Sequence, residues 1–287
     1  DVSMLRWNQA SPDGDQVVYQ ALGYIWIEEL DTGKRRRLTD QNEHWEFYPR
    51  FSPDGERVVF TTFDDQELGS VRVADVGTGE VRVLTGQPGH YVEPSFSPDG
   101  KQVVFRKTTG GYLTSPTWSE RPGIYITPVD EPAPERILDR GQDPQFSSDG
   151  KRILFSEEVD RTDLALNSVN RAGDEEREHL LGDWVTDYRV SPDGRWVAFT
   201  EHYNVHVAPF FPAGKQIKIG ADTEAYPVRK VSARGGEVLH WSGDSATLGW
   251  SYGSKLYSRE LSAAFAFLEG APKELPEPET EGRDLSF

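Results

Sequence analysis

The sequence predicts an all-β fold, a six-bladed β-propeller built from four-stranded antiparallel blades. A motif of the form FSPDGERVVF occurs six times along the 287 residues. A recurring period of this size is typical of repeat architectures. The aspartates of the six copies are Asp13, Asp54, Asp99, Asp149, Asp193 and Asp244, which are 41, 45, 50, 44 and 51 residues apart. Alternating β-type stretches fill each interval and leave little room for helices.

Each copy of the motif predicts a tight turn between two strands. Ser, Pro, Asp and Gly suit the successive positions of a type I turn that ends in a left-handed residue. A short strand such as YPRF precedes the turn, and the β-rich RVVFTT follows it. SVRVADV and EVRVLT then supply a third and a fourth strand. A single sheet of this kind exposes both faces, whereas six sheets in a ring bury each face against the next.

The repeats predict one domain over residues 1–287, with blades beginning near residues 5, 47, 92, 142, 186 and 237. Residues 262–287 are expected to form a closing strand or a linker toward a following domain. Because an open ring would expose two blade faces, either the tail RDLSF or the opening DVSML should complete the last sheet. Asp1 is not a methionine, which suggests a processed or excised chain.

Composition narrows the range of partners. The chain has 31 basic and 48 acidic residues, a formal charge of −17, which opposes binding to nucleic acid or to anionic lipid. No apolar run approaches the roughly 20 residues that span a bilayer. With no cysteine, neither a disulfide framework nor a thiolate metal site is expected.

The repeat pattern F-S-P-D-G-K-x-V-V-F, followed by strands ending in R-x-L-T, resembles the TolB-like family of WD-type propellers over essentially the whole chain. HWEFYPRFSPDG, GHYVEPSFSPDGKQVVFRK, LTSPTWSERPGIY and the tail FLEGAPKELPEPETEGRDLSF resemble one branch of it. In that branch the propeller precedes a metal-dependent amidohydrolase domain in large bacterial proteins. The hydrolase's His-x-His ligand motif does not occur in this sequence, so the resemblance transfers no catalytic residue.

The resemblance implies a non-catalytic module that scaffolds, gates or recruits substrate for a hydrolase domain of the same native protein. The alternative is a free-standing, protein-binding propeller of the cell envelope. A periplasmic or secreted location is expected. A third class, an enzyme that uses channel carboxylates as acid and base, stays open. No nucleophile elbow of the G-x-S-x-G type is found, so no catalytic residue is assigned and no cofactor is required.

Strand register suggests a ligand site at the mouth of the central channel. We expect the residues four before each turn serine to face the channel, namely Trp7, Tyr48, Glu93, Asp143, Asp187 and Val238. The residues two before it should do the same, namely Gln9, Arg50, Ser95, Gln145, Arg189 and His240. One interpretation is a polar channel whose charges offset each other. The other is a cation held by Glu93, Asp143 and Asp187, with Ca²⁺ the ion that best suits hard oxygen ligands.

Two further features are secondary candidates. His44 and His90 precede first strands at equivalent points, each followed by a carboxylate, where they would either pack the loop or bind a ligand. The insertion TTGGYLTSPTWSERPG carries Tyr112 and Trp118 in an otherwise polar loop. Aromatic residues in such a loop favour interfaces, so these two residues are predicted to contact a partner.

Overall fold

The computed structural model describes residues 2–111 and 118–287, and it confirms the six-bladed all-β propeller. The innermost strands are β1 (Arg6–Ala10), β5 (Trp45–Phe51), β9 (His90–Phe96), β13 (Gln142–Phe146), β17 (Val185–Val190) and β22 (Glu237–Trp241). The second strands are β2 (Gln16–Ala21), β6 (Arg57–Asp64), β10 (Gln102–Thr108), β14 (Arg152–Glu158), β18 (Trp196–Glu201) and β23 (Thr247–Tyr252).

The outer half of each blade contains a third and a fourth strand. The third strands are β3 (Tyr24–Glu29), β7 (Leu68–Asp75), β11 (Gly123–Pro128), β15 (Asp163–Asn170), β19 (Asn204–Pro209) and β24 (Lys255–Glu260). The fourth strands are β4 (Arg35–Arg37), β8 (Val81–Val83), β12 (Glu135–Leu138), β16 (Arg177–Asp183), β21 (Arg229–Lys230) and β25 (Arg283–Asp284). The described residues form one 3₁₀ turn, Leu261–Ala263, and no helix among them is long and apolar enough to cross a membrane.

The repeated turns form through the hydrogen bonds that their residue types offer. In the first copy, the hydroxyl of Ser11 donates to Asp13 Oδ1 at 2.5 Å and accepts from the backbone N–H of Gln16 at 2.9 Å. Gly14 follows with a φ of 83°, the left-handed conformation that glycine adopts without steric cost. The sixth copy has Ser245 in the glycine position, with a φ of 63°. The repeated motif is therefore a structural turn.

The core is divided among the seams between blades. The second strands are the most deeply buried, and Phe60, Phe105, Phe155 and Phe199 have at most 1% exposure. Each packs with residues of a neighbouring blade, so the hydrophobic surface buried on folding lies mainly between sheets. This packing fixes the blades around the axis and positions the channel-facing residues.

Blade 4 departs from the four-stranded antiparallel prediction. A fifth strand, β20 (Ile217–Lys218), pairs parallel with β16, and the chain then returns to form β21 in blade 5. Ile219 packs in a cluster with Leu180 of blade 4 and Tyr188 of blade 5, so burial of its side chain favours the crossing. The crossing segment also covers the unpaired backbone groups at the edge of blade 4.

Both chain ends close the ring. β25 pairs with β24 as the fourth strand of blade 6, so the tail completes the last sheet. Leu285 is fully buried among Leu5 and Tyr19 of blade 1. Val2 and Phe287 exchange backbone hydrogen bonds, and Arg283 lies 3.7 Å from the buried Glu28 of β3. The tail is thereby joined to the first blade as well as to the last.

Candidate binding site in the central channel

A β-bulge interrupts each of the six innermost strands at the channel. The residue four before the turn serine has a positive φ in five blades: Trp7, Tyr48, Glu93, Asp143 and Val238, with values of 49° to 56°. The pairing with the second strand shifts by one residue there. In blade 5 the shift lies one residue earlier and Asp187 pairs regularly with Thr200. A bulge redirects side chains, so the regular alternation assumed from sequence does not run through these strands.

Glu93 is held by an arginine that the register count did not include. Arg106, on the adjacent β10, donates through Nε to Glu93 Oε2 at 2.8 Å, and a second, shorter contact joins its terminal nitrogen to Oε1. The same Oε2 accepts from the backbone N–H of Asp143 at 2.7 Å, which links blades 3 and 4. Burial and the neighbouring Asp143 raise the pKa of Glu93, and Arg106 opposes that shift.

Asp187 and Arg189 form a looser, partly buried pair. The nearest nitrogen of Arg189 lies 3.9 Å from Asp187 Oδ1, and neither that oxygen nor Arg189 Nε has a hydrogen-bond partner among the described residues. Burial raises the pKa of Asp187, as does Asp143, whereas Arg189 and Arg50 lower it. The structure thus places these acids and arginines within one electrostatic environment.

Arg50 is the second cation of this environment. Burial lowers the pKa of Arg50 to about 10, helped by Arg189 and opposed by Asp143, Asp187 and Glu93. The guanidinium therefore stays charged at neutral pH. With Arg106, three arginines and three carboxylates lie in this part of the channel, and the offsetting of their charges stays a prediction.

All six residues two before the turn serine line one cavity of about 350 Å³ at the turn side of the channel. Two of them connect blades: Gln9 Oε1 accepts from the N–H of Phe51 at 3.3 Å, and Gln145 Oε1 accepts from the N–H of Val190 at 3.0 Å. The residues four before the serine lie deeper, and Trp7, Tyr48 and Val238 border a small cavity of about 20 Å³.

The structure contains no preformed calcium site in its described part. Within residues 2–111 and 118–287, no three His, Asp or Glu side chains are grouped closely enough to hold a metal. Glu93 is engaged by Arg106 and Asp187 faces Arg189, so the three carboxylates proposed from sequence do not form a common ligand set. Calcium binding remains a prediction without a ready ligand arrangement.

The two secondary histidines have different surroundings. His44 is buried, and its pKa is lowered by burial and by Arg72. The carboxylate that follows it, Glu46, accepts from the N–H of Ile25 and from Gln41 Nε2, each at 2.8 Å, and so fastens blade 2 to blade 1. His90 is half-buried and stacks on Trp118. His44 Nε2 has no hydrogen-bond partner among the described residues, and a ligand role for either histidine stays a prediction.

The insertion in blade 3 contributes an aromatic cluster. Trp118 lies 5.7 Å from Phe63 and 6.0 Å from His90, ring centre to ring centre. A side chain at Gly110 would approach the Trp118 ring to 2.5 Å, so glycine permits this contact. Tyr112 lies outside the described residues.

One face of the ring collects exposed apolar side chains. The innermost strands begin on this face, and the hairpins between second and third strands lie there too. We define the aromatic face by its exposed large apolar residues, Met4, Leu22, Trp45, Val159, Trp184, Tyr203 and Tyr252. Tyr203 is 84% exposed and Trp45 is 53% exposed. Such a concentration of apolar residues on one surface is typical of an interaction site.

A closed ring of six blades around a charged channel defines the chain as a six-bladed β-propeller. The family model of the TolB beta propeller domain matches residues 6–211, and the chain belongs to that family. Comparison with curated proteins finds no match.

Solved structures show the same fold. TolB from Acinetobacter baumannii is 18% identical with a TM-score of 0.61, over 90% of this chain and 60% of that one. A putative TolB from Agrobacterium tumefaciens is 18% identical with a TM-score of 0.62, over 90% of each chain. An oligogalacturonate lyase from Vibrio parahaemolyticus is 12% identical with a TM-score of 0.58, over 85% and 72%. The chain therefore spans under two thirds of the Acinetobacter protein.

His240, in the channel, provides a test of these electrostatics. Burial lowers its pKa to about 4, and Arg50 and Arg189 contribute to the shift. A histidine whose folded pKa lies below its unfolded value near 6.5 destabilises the fold as pH falls, because the unfolded chain binds the proton first. The loss between pH 7 and pH 5 is about 2 kcal/mol for this group. We expect His240→Gln to remove that part of the pH dependence.

Urea unfolding at pH 7 and pH 5 measures this difference. Comparing wild type with the variant subtracts the parallel contributions of His179 and His206, whose pKa values burial also lowers to about 4. An equal pH-dependent loss of stability in both proteins would contradict a neutral, buried His240.

Proposed function

We propose that this propeller is a non-catalytic module that docks a hydrolase domain of the same native protein through its aromatic face. The observation that carries the proposal is that seven exposed apolar side chains lie on the same end of the ring. Aromatic residues with large accessible surfaces are enriched at protein interfaces. The hydrolase partner itself rests on the family branch that the sequence resembles.

Charge on this face narrows the chemistry of the partner. Exposed acidic residues flank the apolar ones: Glu43 precedes Trp45, Asp183 precedes Trp184, and Asp160 follows Val159. Because complementary potentials select partners and speed association, the docking domain should carry an apolar patch surrounded by lysines or arginines. The net charge of −17 likewise favours a partner with a basic surface.

The course of the chain supports docking on this side. β25 runs antiparallel to β24 and leads toward the aromatic face, where Phe287 pairs with Val2 just before β1. A domain joined after Phe287 would start beside the exposed aromatic residues. A short connection would hold it there at a high effective concentration.

The alternative function is a free-standing, protein-binding propeller of the cell envelope. Membership of the TolB propeller family favours a binding role, and we propose a periplasmic or secreted location on the same basis. Under this alternative the aromatic face would bind a separate protein in place of a covalently attached hydrolase domain.

Isothermal titration of the isolated propeller with the separately produced hydrolase domain tests the proposal. We expect the double variant Trp184→Ser/Tyr203→Ser to weaken binding at least tenfold, because aromatic anchors dominate interface energies. Phe267→Ser is the control, since Phe267 is 65% exposed and follows β24 at the opposite end of the ring.

Three outcomes would contradict the proposal or part of it. One is a native reading frame without a hydrolase domain, which would leave the free-standing alternative. Another is equal weakening by the aromatic-face variant and the Phe267 control. Turnover of amide, ester or peptide substrates by purified propeller, surviving chelation and repurification, would overturn its non-catalytic role.

A further inference from the structure

We propose that the turn-side cavity of the channel is a carboxylate-binding site built around Arg50 and Arg189. The site lies at the opposite end of the ring from the aromatic face and does not depend on the identity of a docking domain. Its ligand is a monoanionic carboxylate attached to an apolar group, either on a small molecule or at the end of a polypeptide.

The first support is an arginine that is buried and incompletely paired. The side chain of Arg189 is 8% exposed and lines the cavity, yet its Nε has no hydrogen-bond partner among the described residues. Its nearest carboxylate oxygen, on Asp187, lies 3.9 Å away, beyond hydrogen-bonding distance. A buried, incompletely paired guanidinium is costly, and a carboxylate in the cavity that accepts from this side chain offsets that cost.

The second support is a neighbouring cation without a direct partner. Among the described residues, the Arg50 side chain has no hydrogen bond and no ion pair within 4.0 Å, although it also lines the cavity. Both oxygens of Glu93 accept from Arg106, and no ion pair joins Glu93 to Arg50 among the described residues. Two guanidinium groups thus share a cavity with unused donors, and their planar geometry suits a carboxylate.

The remaining lining residues fit a carboxylate with an apolar substituent. Ser95 has an uncommitted hydroxyl in the described structure, and the amide nitrogen of Gln9 is free because only its oxygen is used. The outer wall is apolar, formed by Phe51, Phe96, Phe146, Trp241 and the turn prolines Pro12, Pro53, Pro98 and Pro192. A volume of about 350 Å³ lies within the range of small-ligand pockets.

Nearby acids argue against a doubly charged ligand. Asp143 and Asp187 act on Arg50 and partly cancel the field of the two arginines. A phosphate dianion would meet this opposing charge, whereas a single negative charge balances the unpaired guanidinium donors. His240, which also lines the cavity, is uncharged at neutral pH and adds no further attraction for an anion.

Calorimetric titration with phenylacetate tests the site, with phenylacetamide as the neutral isostere and inorganic phosphate as the competing anion. We expect phenylacetate to bind at least tenfold more tightly than either. Arg50→Gln and Arg189→Gln should each weaken it tenfold or more. Arg82→Gln is the matched control, because Arg82 pairs with Asp130 on the outer edge and should leave binding unchanged.

The source of the carboxylate is distinguished by two peptides, acetyl-Ala-Pro-Phe with a free carboxylate and the same peptide with a terminal amide. Tighter binding of the free-acid peptide than of phenylacetate would identify a polypeptide end as the ligand. Similar affinities would indicate a small molecule.

The wild-type comparison is decisive even if one variant misfolds. Equal affinity for phenylacetate and phenylacetamide, tighter binding of phosphate, or no heat with phenylacetate would each overturn the proposal. Full retention of binding in a folded Arg50→Gln protein would do so as well.

Discussion

Deletion of Arg283–Phe287 is expected to lower the melting temperature by about 10 °C. The deletion removes β25 and fully buried Leu285, and it exposes apolar surface of Tyr19 and Trp26 that Phe287 covers. Losing one large buried side chain typically costs about 2–5 kcal/mol. For a chain of this size, each kcal/mol shifts the melting temperature by about 2–4 °C.

Calorimetry or circular dichroism during heating measures this effect. Leu275→Ser is the control, because Leu275 lies in the same tail but is exposed. An unchanged melting temperature in the deletion would show that the final residues act only as a linker and that the ring closes without them.

The triple variant Glu93→Gln/Asp143→Asn/Asp187→Asn is expected to lose about 3–5 kcal/mol of stability, the usual cost of removing one side of a buried ion pair. Arg50, Arg106 and Arg189 would keep their charges in a partly desolvated channel without carboxylates to offset them. Millimolar Ca²⁺ should shift the melting temperature of neither protein, since Arg106 engages Glu93 and Arg189 lies beside Asp187.

The control for this experiment is the double variant Glu93→Gln/Arg106→Gln, which removes both members of one ion pair. It should lower the free energy of unfolding by less than Glu93→Gln alone. A calcium-dependent rise in the wild-type melting temperature that the triple variant lacks would establish the cation site instead.

Local chemistry made the fold predictable from sequence. The SPDG-type turns depend on serine and aspartate within a few residues and on a left-handed residue, glycine in five copies and Ser245 in the sixth, and all six form as the motif predicts. The family membership indicated by the same repeats is also confirmed. The residues two before each turn serine share the turn-side cavity because a regular strand pair extends from the turn back to them.

Longer-range features were less accessible from sequence. The bulge at Glu93 and its counterparts has no glycine signal, since tryptophan, tyrosine and valine also adopt a positive φ there. Arg106 was missed because it lies on a second strand, and only the shifted pairing brings it to Glu93. The crossing of β20 depends on burial of Ile219 between blades, which no local pattern reveals.

The crossing segment changes how this repeat array unfolds. In simple repeat proteins each unit interacts with its neighbours only through their shared interface, so stability is nearly a sum of units and interfaces. Here β20 is bracketed in sequence by β19 and β21 of blade 5 but hydrogen-bonds to blade 4. Blade 5 cannot open fully without releasing that strand. We therefore expect blades 4 and 5 to unfold as one cooperative unit, with their backbone amides sharing a common free energy of exchange with solvent.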